Sequence, residues 1–271
     1  MPVIEAGDHR VWRRRDRAEQ LRNWLIWLVG TALFIVCWRF ISERTIWIFV
    51  LDAPQQAWDM AVRMSNPPMG YFNRILQPMW DTVNMATIGT LIAIAIATPV
   101  AFLAASNTTP SVYFVRPVAL AIIVTSRSIN ALIWALLLVL VVGPGLLAGI
   151  IAIALRSIGF IGKLLYEAIE EIDETQVEAI RATGAQPTQV LSYGIWPQVL
   201  PAFAGISVYR WDINIREATI LGLVGAGGIG VQLQASVNSL AWGQVSVIFM
   251  AILVTVVFSE WVSAKVRHAV L

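Results

Sequence analysis

Arginines inside long apolar runs are the residues of this sequence whose chemistry needs an explanation. Arg127, Arg210 and Arg216 each lie within or at the edge of such a run. An arginine at mid-membrane costs roughly 2.5–3.5 kcal/mol on insertion scales, so it normally faces a wet cavity or a partner group. No acidic residue lies between 82 and 166, so the partner of Arg127 must come from another segment, the lipid headgroups or a substrate. A guanidinium presents a planar fork that matches the oxygens of an oxyanion. We therefore predict a translocation pathway that favours anions.

Two acidic side chains near these arginines are assigned to the same pathway. Asp212 lies four residues before Arg216, so the two can pair on one helix face. Glu217 lies seven residues after Arg210 and is expected to reach it only loosely. Internal pairing of Arg216 and snorkelling of Arg210 towards the interface are the alternatives to a role in the pathway.

Catalytic and metal-binding chemistry is not predicted. The two histidines, His9 and His268, are close to the chain ends, and no group of residues has metal-ligand spacing. The single cysteine, Cys37, lies in an apolar run and can form no internal disulfide. The phosphate-binding pattern G-x-x-x-x-G-K-S/T is absent. We expect no catalytic residue, no metal site and no cofactor bound by this chain.

A glycine-rich segment, Gly225–Gly230, formally fits the dinucleotide pattern G-x-G-x-x-G. A dinucleotide site needs a preceding strand and an acidic residue about twenty positions further on. Here an apolar run precedes the segment, and another lies about twenty residues on. We interpret it as a turn outside the membrane, which is either simply flexible or packs its backbone closely to shape an outer gate, through Gly225, Gly227, Gly228 and Gly230.

The composition is that of a polytopic membrane protein. Of the 271 residues, 58% are hydrophobic and 13% are charged, and the mean hydropathy is +0.70. Soluble domains contain about 25% charged residues. The formal net charge of +2 is too small to indicate a nucleic-acid partner.

About six membrane-spanning helices are predicted from apolar runs that are long enough to cross a bilayer. They cover approximately residues 21–41, 82–105, 116–142, 146–165, 199–224 and 245–262. The third is interrupted at Ser126–Asn130, and 42–80 is expected to be a loop with one short helix. This divides the chain into a basic segment (1–23), a first span with an external loop (24–80) and a core domain (81–271).

The distribution of Lys and Arg predicts the orientation. With the N-terminus inside, the cytoplasmic segments hold about eleven of these residues and the external segments about three. Positive residues accumulate on the cytoplasmic side of membrane proteins. Both termini and the polar segment 167–198 are therefore predicted to be cytoplasmic. The arginines between Arg10 and Arg22 are a topology signal or a contact with anionic lipid.

The polar segment 167–198 contains a helix–turn–helix pattern. Glu178–Thr183 consists of good helix formers, and Gly184 suits the left-handed residue that closes a helix. Pro187 suits the first turn of a second, short helix. Two small residues would let this surface approach another protein closely, Ala179 and Ala182.

This segment resembles the cytoplasmic coupling loop, or EAA loop, of ABC importer permeases. The family pattern is E-A-A, three residues, G, nine residues, then I-x-L-P. The matching positions are Glu178, Ala179, Gly184 and Pro197. The positions that depart from the pattern are Ile180, Gly194 and Trp196.

The resemblance implies an all-α ABC importer permease fold with a cytoplasmic coupling loop. The residues that it implies for coupling to an ATPase are Glu178, Ala179, Ala182, Gly184 and Pro187. It implies two copies of a partner ATPase, which bind ATP and magnesium, and an extracytoplasmic substrate-binding protein that contacts the glycine-rich segment. One coupling loop cannot engage two ATPase sites, so we expect a second copy of the permease in a two-fold homodimer.

A narrower resemblance indicates the substrate class. Residues 80–271 are similar to the permeases of phosphonate importers, and the likeness is carried by Tyr193–Pro197, Tyr209–Asp212, Arg216–Ala218 and Leu221–Gly230. It implies import of an organophosphonate, or of phosphate or phosphite, across the cytoplasmic membrane by alternating access. The alternatives are an ABC permease for another small solute such as an amino acid, an ATP-independent secondary transporter, a membrane enzyme and a structural subunit.

Overall fold

The computed structural model describes residues 3–6, 9–12 and 17–270. Part of the basic N-terminal segment, including Arg13, Arg14 and Arg15, lies outside the described residues. A small antiparallel ribbon is formed by β1 (Val3–Ala6) and β2 (His9–Trp12). From residue 17 onwards the regular structure is helical, which confirms the all-α class for the membrane part.

The chain divides into two units, Met1–Asp59 and Met60–Leu271. In the first unit, α1 (Arg17–Arg44) contains an 18-residue apolar window with none of its residues buried. The helix α2 (Trp47–Met64) starts in this unit.

The expected loop at 42–80 is largely helical. The helix α2 has 18 residues, and the next long helix, α3 (Phe72–Ala104), begins about ten residues before the predicted span. Pro54 lies inside α2, and Pro78 lies inside α3. A proline removes one backbone hydrogen bond, and good helix formers on both sides can outweigh that loss. Residues 65–71 separate α2 from α3, and a 3-10 turn forms there at Met69–Tyr71.

The rest of the second unit consists of helices of very different length. They are α4 (Val115–Ser128), α5 (Ala131–Val142), α6 (Leu146–Glu170), α7 (Glu174–Ala182), α8 (Pro187–Gln189), α9 (Trp196–Leu221), α10 (Ile229–Asn238) and α11 (Trp242–Val270).

Four helices are long and apolar enough to cross a membrane, and two bent pairs raise the number to six if each pair is one span. The pair α4–α5 bends by 88°, at the break predicted between Ser126 and Asn130. The second bent pair, Pro187–Val224 with α10, bends by 46° at the glycine-rich segment. The prediction of about six spans is therefore confirmed.

The centre of the second unit is the contact between α3 and α6, which is made by small residues. Ala86, Ala93 and Ala97 of α3 and Ala152 of α6 are fully buried. A Cβ atom at Gly89 would lie 2.8 Å from Cγ2 of Ile153, so the two backbones approach too closely for a larger side chain. Small residues allow such close helix packing in membranes, where no hydrophobic effect drives association between helices.

A buried polar cluster joins α3, α6 and α9. The Asn214 amide donates from Nδ2 to Thr90 Oγ1 at 2.7 Å and to Ser157 Oγ at 3.0 Å. Asn214 and Ser157 have no exposed surface, and Thr90 is 2% exposed. Because a buried polar group without a partner is costly, this cluster fixes the register of the three helices.

The variant Asn214→Leu should lower the stability of the protein by about 1–2 kcal/mol, because it removes the hydrogen bonds between the three helices. The midpoint of thermal unfolding in detergent measures the effect. Thr98→Val is the matched control, because the Thr98 hydroxyl bonds only to Ile94 O of its own helix. Equal midpoints for the two variants would show that the cluster does not hold the helices together.

Candidate functional site

A carboxylate shared by two arginines lies in the middle of the second unit. Glu217 of α9 accepts a hydrogen bond through Oε2 from Arg210 Nη2 at 3.2 Å. Its other oxygen, Oε1, lies 3.0 Å from Nη1 of Arg156, which belongs to α6. Two guanidiniums and one carboxylate leave this cluster, Arg156–Glu217–Arg210, with a formal charge of +1.

The Arg210 side chain is an internal member of the cluster. It is 5% exposed, and its Nε donates to Ser157 Oγ at 3.1 Å. Its guanidinium lies over the Phe160 ring, 4.6 Å from the centroid. The expectation that Glu217 reaches Arg210 only loosely is therefore wrong, since two long side chains span the two turns between them. This geometry favours a fixed charge at Arg210 over a fork that is open to a substrate.

Arg156 is the residue of this cluster that sequence reasoning missed. Its Nη1 also donates to Asn130 Oδ1 at 3.2 Å, and its side chain is 21% exposed. Asn130 is the N-cap of α5 and accepts from Leu132 N, so Arg156 is attached to the break between α4 and α5. The position of Arg156 inside an apolar run was a signal for it, but its partners are on other helices and cannot be deduced from spacing.

Asp212 and Arg216 pair with each other on the side of α9 opposite to Arg210 and Glu217. This is the internal pairing of Arg216 that was predicted as the alternative to a role in the pathway. Arg216 Nη2 contacts Asp212 Oδ2, and Ser259 of α11 donates to Asp212 Oδ1 at 2.6 Å. The Asp212 side chain is 6% exposed and that of Arg216 48% exposed. Asp212 therefore connects α9 to α11, while Arg216 reaches the surface of the chain.

Arg127 lies at the end of α4, beside the break. The side chain is exposed and forms no ion pair with the residues that the structure describes. The end of α4 is attached to α6, because Ser126 Oγ donates to Leu155 O and accepts from Gly159 N at 2.8 Å. Arg127 and Arg156 therefore belong to the same region of the molecule, at the junction of α4 with α6.

The segment between α6 and α9 has the helix–turn–helix form predicted from the sequence. Asp173 is the N-cap of α7, and hydrogen bonds from the side chain and the backbone N–H of Thr175 hold the pKa of Asp173 below its ordinary value. Gly184 follows α7 with φ +80°, which confirms the left-handed conformation. Pro187 starts α8, where Gln186 and Gln189 form a reciprocal capping box.

The exposed face of this segment carries the residues assigned to coupling. Glu178, Ala179 and Ala182 are exposed, as are Gly184 and Pro187. Its inner face is apolar, with Val177, Val190, Ile195 and Val199 buried against α3 and α6. A groove beside α7 is lined by Asn107, Glu174, Glu178 and Arg181, among others. The segment thus presents a polar surface on a packed base.

Two departures from the EAA pattern are in contact. A Cβ atom at Gly194 would lie 3.3 Å from Cδ1 of Ile180 and 3.5 Å from Cα of Val177. The family pattern has a small residue, Ala, at position 180 and a large one, Ile, at position 194. This chain has the large residue at the first position, Ile180, and the smallest at the second, Gly194. The third departure, Trp196, packs with its ring centroid 5.3 Å from that of Phe203.

The glycine-rich segment forms a compact turn after α9 and not after a strand. Gly225, Gly227 and Gly228 have φ angles of +86°, +84° and +72°. A Cβ atom at Gly230 would lie 2.2 Å from Thr219 O, so this position requires close backbone approach. No group of three or more His, Cys, Asp or Glu side chains that could hold a metal occurs among the described residues.

Comparisons with known proteins agree with this geometry. Residues 97–264 match the family model described as "Binding-protein-dependent transport system inner membrane component". The chain is 41% identical over 240 residues to the phosphite transport system permease protein PtxC of Stutzerimonas stutzeri, covering 89% of this chain and 86% of that protein. It is 38% identical over 222 residues to the phosphate-import permease protein PhnE of Mycolicibacterium smegmatis, covering 82% of this chain and 42% of that protein.

A solved structure shows the same fold. The methionine ABC transporter MetNI in inward-facing conformations contains a chain that superposes with a TM-score of 0.64 at 22% identity, covering 75% of this chain and 98% of that one. The resemblance inferred from the coupling segment is confirmed. The chain belongs to the family of inner-membrane components of binding-protein-dependent transport systems, and it is an ABC importer permease.

Proposed function

We propose that this permease moves a small phosphorus oxyanion, namely a phosphonate, phosphite or phosphate, across the cytoplasmic membrane. The observation that carries the proposal is the positive cluster at the junction of α4 with α6. Arg156 and Arg210 share one carboxylate, Glu217, and Arg127 lies at the nearby end of α4. Such a cluster favours anions over neutral and cationic solutes. The substrates named for the two relatives, phosphite and phosphate, have this chemistry.

The residues assigned to the pathway have different roles in this proposal. Arg127 is exposed and raises the potential at the entrance to the break between α4 and α5. Arg210 and Glu217 set the charge of the interior, and Asp212, which is paired with Arg216, holds α9 against α11 through Ser259. The pathway itself would be completed by a second copy of this chain in a two-fold homodimer.

Uptake into vesicles tests the substrate class. The tagged permease, purified from its native membrane with the ATPase that accompanies it, is reconstituted and supplied with its binding protein. We expect ATP-dependent uptake of phosphite, methylphosphonate or inorganic phosphate and none of methionine. Uptake of methionine alone would contradict the proposal. Uptake that needs no ATPase would instead indicate a secondary transporter.

We propose that the exposed face of α7 and α8 docks onto the partner ATPase, which binds ATP and magnesium. Glu178, Ala179, Ala182, Gly184 and Pro187 form the contact. The exposure of these residues, the adjacent groove and the fixed turn at Gly184 support this assignment. Two ATPase copies, one for each permease copy, match the proposed symmetry.

The variant Gly184→Val should uncouple the transporter. A β-branched residue with φ +80° costs on the order of 1–2 kcal/mol locally and would change the direction of α8 relative to α7. No atom lies within 4 Å of a Cβ at this position, so the backbone conformation alone is tested. We expect uptake and substrate-stimulated ATP hydrolysis to fall together in assembled complexes.

The matched control for this experiment is Gly184→Asn, because asparagine tolerates the left-handed conformation. It should retain most of the uptake. Normal uptake by Gly184→Val would show that the turn does not position a coupling surface.

We also propose the orientation in which both termini and the α7–α8 segment are cytoplasmic, and the glycine-rich turn with α10 is outside. In this orientation Gly225, Gly227, Gly228 and Gly230 shape an outer gate or the contact with an extracytoplasmic binding protein. The excess of Lys and Arg in the segments placed inside supports the assignment.

Cysteine labelling of intact cells tests this orientation, after Cys37 has been replaced by serine. Both reporter positions, Gln234 in α10 and Glu171 before α7, are exposed in the structure. An impermeant maleimide should label Gln234→Cys in intact cells and Glu171→Cys only after the cells have been permeabilised. Labelling of Glu171→Cys from outside would reverse the orientation.

A further inference from the structure

One edge of the Arg156 guanidinium has no hydrogen-bond partner among the residues that the structure describes. Nη1 is used by Glu217 and Asn130. Nε is buried and makes no hydrogen bond, and Nη2 makes none to the residues that the structure describes. A buried N–H group of a charged side chain is rarely left without an acceptor, because its desolvation is not compensated. The Nε and Nη2 donors of an arginine point the same way, so one ligand with two oxygens can accept from both.

The surroundings hold this edge in place. Asn130 and Glu217 fix the position of Nη1 from two different helices, α5 and α9. The guanidinium also lies over the Phe160 ring, 5.5 Å from its centroid, and Arg210 lies over the same ring. The Arg156 side chain is 21% exposed, whereas the Arg210 side chain is 5% exposed. Arg156 is therefore the more accessible of the two cations in the cluster.

The local charge suits an anion. The formal charge of the Arg156–Glu217–Arg210 cluster is +1, and Asp212, the other acidic side chain of α9, is occupied by Arg216 and Ser259. A monoanion bound to the free edge would bring the cluster to neutrality. Residues 82–166, which include Arg127 and Arg156, contain no carboxylate.

We propose that the Nε–Nη2 edge of Arg156 binds two oxygens of the transported phosphorus oxyanion and is the specificity site of the pathway. This inference rests on the proposed function and adds to it a residue and an atom pair. Glu217 is a positioning residue, which orients Arg156 through Nη1. Its negative charge also limits the affinity, so that the anion can be released.

The decisive variant is Arg156→Lys, which retains the charge and removes the fork. We expect the apparent KM for phosphite or phosphate uptake to rise roughly tenfold or more, since a hydrogen bond to a charged group contributes about this factor. Uptake is measured in the reconstituted complete transporter and is normalised to the amount of assembled complex. Lys163→Gln is the matched control, because Lys163 also carries a positive charge on α6 but pairs only with Glu167, at 3.4 Å. Its KM should equal that of the unmodified protein.

A second variant, Glu217→Gln, decides the question if Arg156→Lys does not assemble. Removal of the negative charge should lower the apparent KM several-fold and also lower the maximal rate, because release becomes slower. A purely structural role of Glu217 would reduce the amount of complex and leave the KM unchanged.

The outcomes separate this site from the function on which it rests. No uptake of phosphite, methylphosphonate or phosphate by the unmodified transporter would overturn both. Normal uptake with an unchanged KM in Arg156→Lys would overturn the site alone. If the Nε–Nη2 edge of Arg156 holds a lipid phosphate and not the substrate, the KM of Arg156→Lys should also be unchanged. That result would likewise contradict the proposal.

Discussion

The high cost of a charge in an apolar bundle is the constraint on which this structure depends. A single arginine at mid-membrane is unfavourable, and so is a single carboxylate. Glu217 is shared by Arg156 and Arg210, so one carboxylate compensates part of two positive charges from two helices, with Asn130 and Ser157 as neutral partners. Breaking such a set by removing one member leaves an uncompensated buried charge. The cluster therefore requires α6, α9 and the α4–α5 break to stay together.

The small residues of α3 and α6 make this arrangement possible. The polar side chains Thr90, Ser157 and Asn214 reach one another because the helices approach closely at Gly89 and Ala152. In water, apolar side chains would supply the driving force for such packing, but in lipid it must come from close contact and hydrogen bonds. Asn214 thus fixes the distance between helices, and the charged cluster occupies the adjacent turns of α6 and α9.

The sequence predicted those features of the fold that depend on a residue and its immediate neighbours. Gly184 was predicted to be left-handed and Pro187 to start a helix, because both depend on the residue type and its immediate neighbours. Partners across helices were not predictable in this way. The pairing of Glu217 with Arg156 joins residues that are far apart in sequence. The length of α2 depends on the balance between its helix-forming residues and the one proline inside it, Pro54. The compensation between Ile180 and Gly194 was also invisible, because only the fold brings these two positions into contact.

The helix α6 connects the charged cluster with the coupling segment. Arg156 and Glu170 are separated by fourteen residues of one uninterrupted helix, or about 21 Å. At its end, Glu170 accepts hydrogen bonds from Arg116 at 3.0 Å and from Ser106 N at 2.7 Å. Arg116 lies at the start of α4, whose other end is attached to α6 through Ser126. Because α4 and α6 are joined at two points, any displacement of α6 by the coupling segment must carry α4 with it or break these contacts. The break before α5, with Asn130 and Arg127 beside it, is then where the two parts of this broken span can move relative to each other.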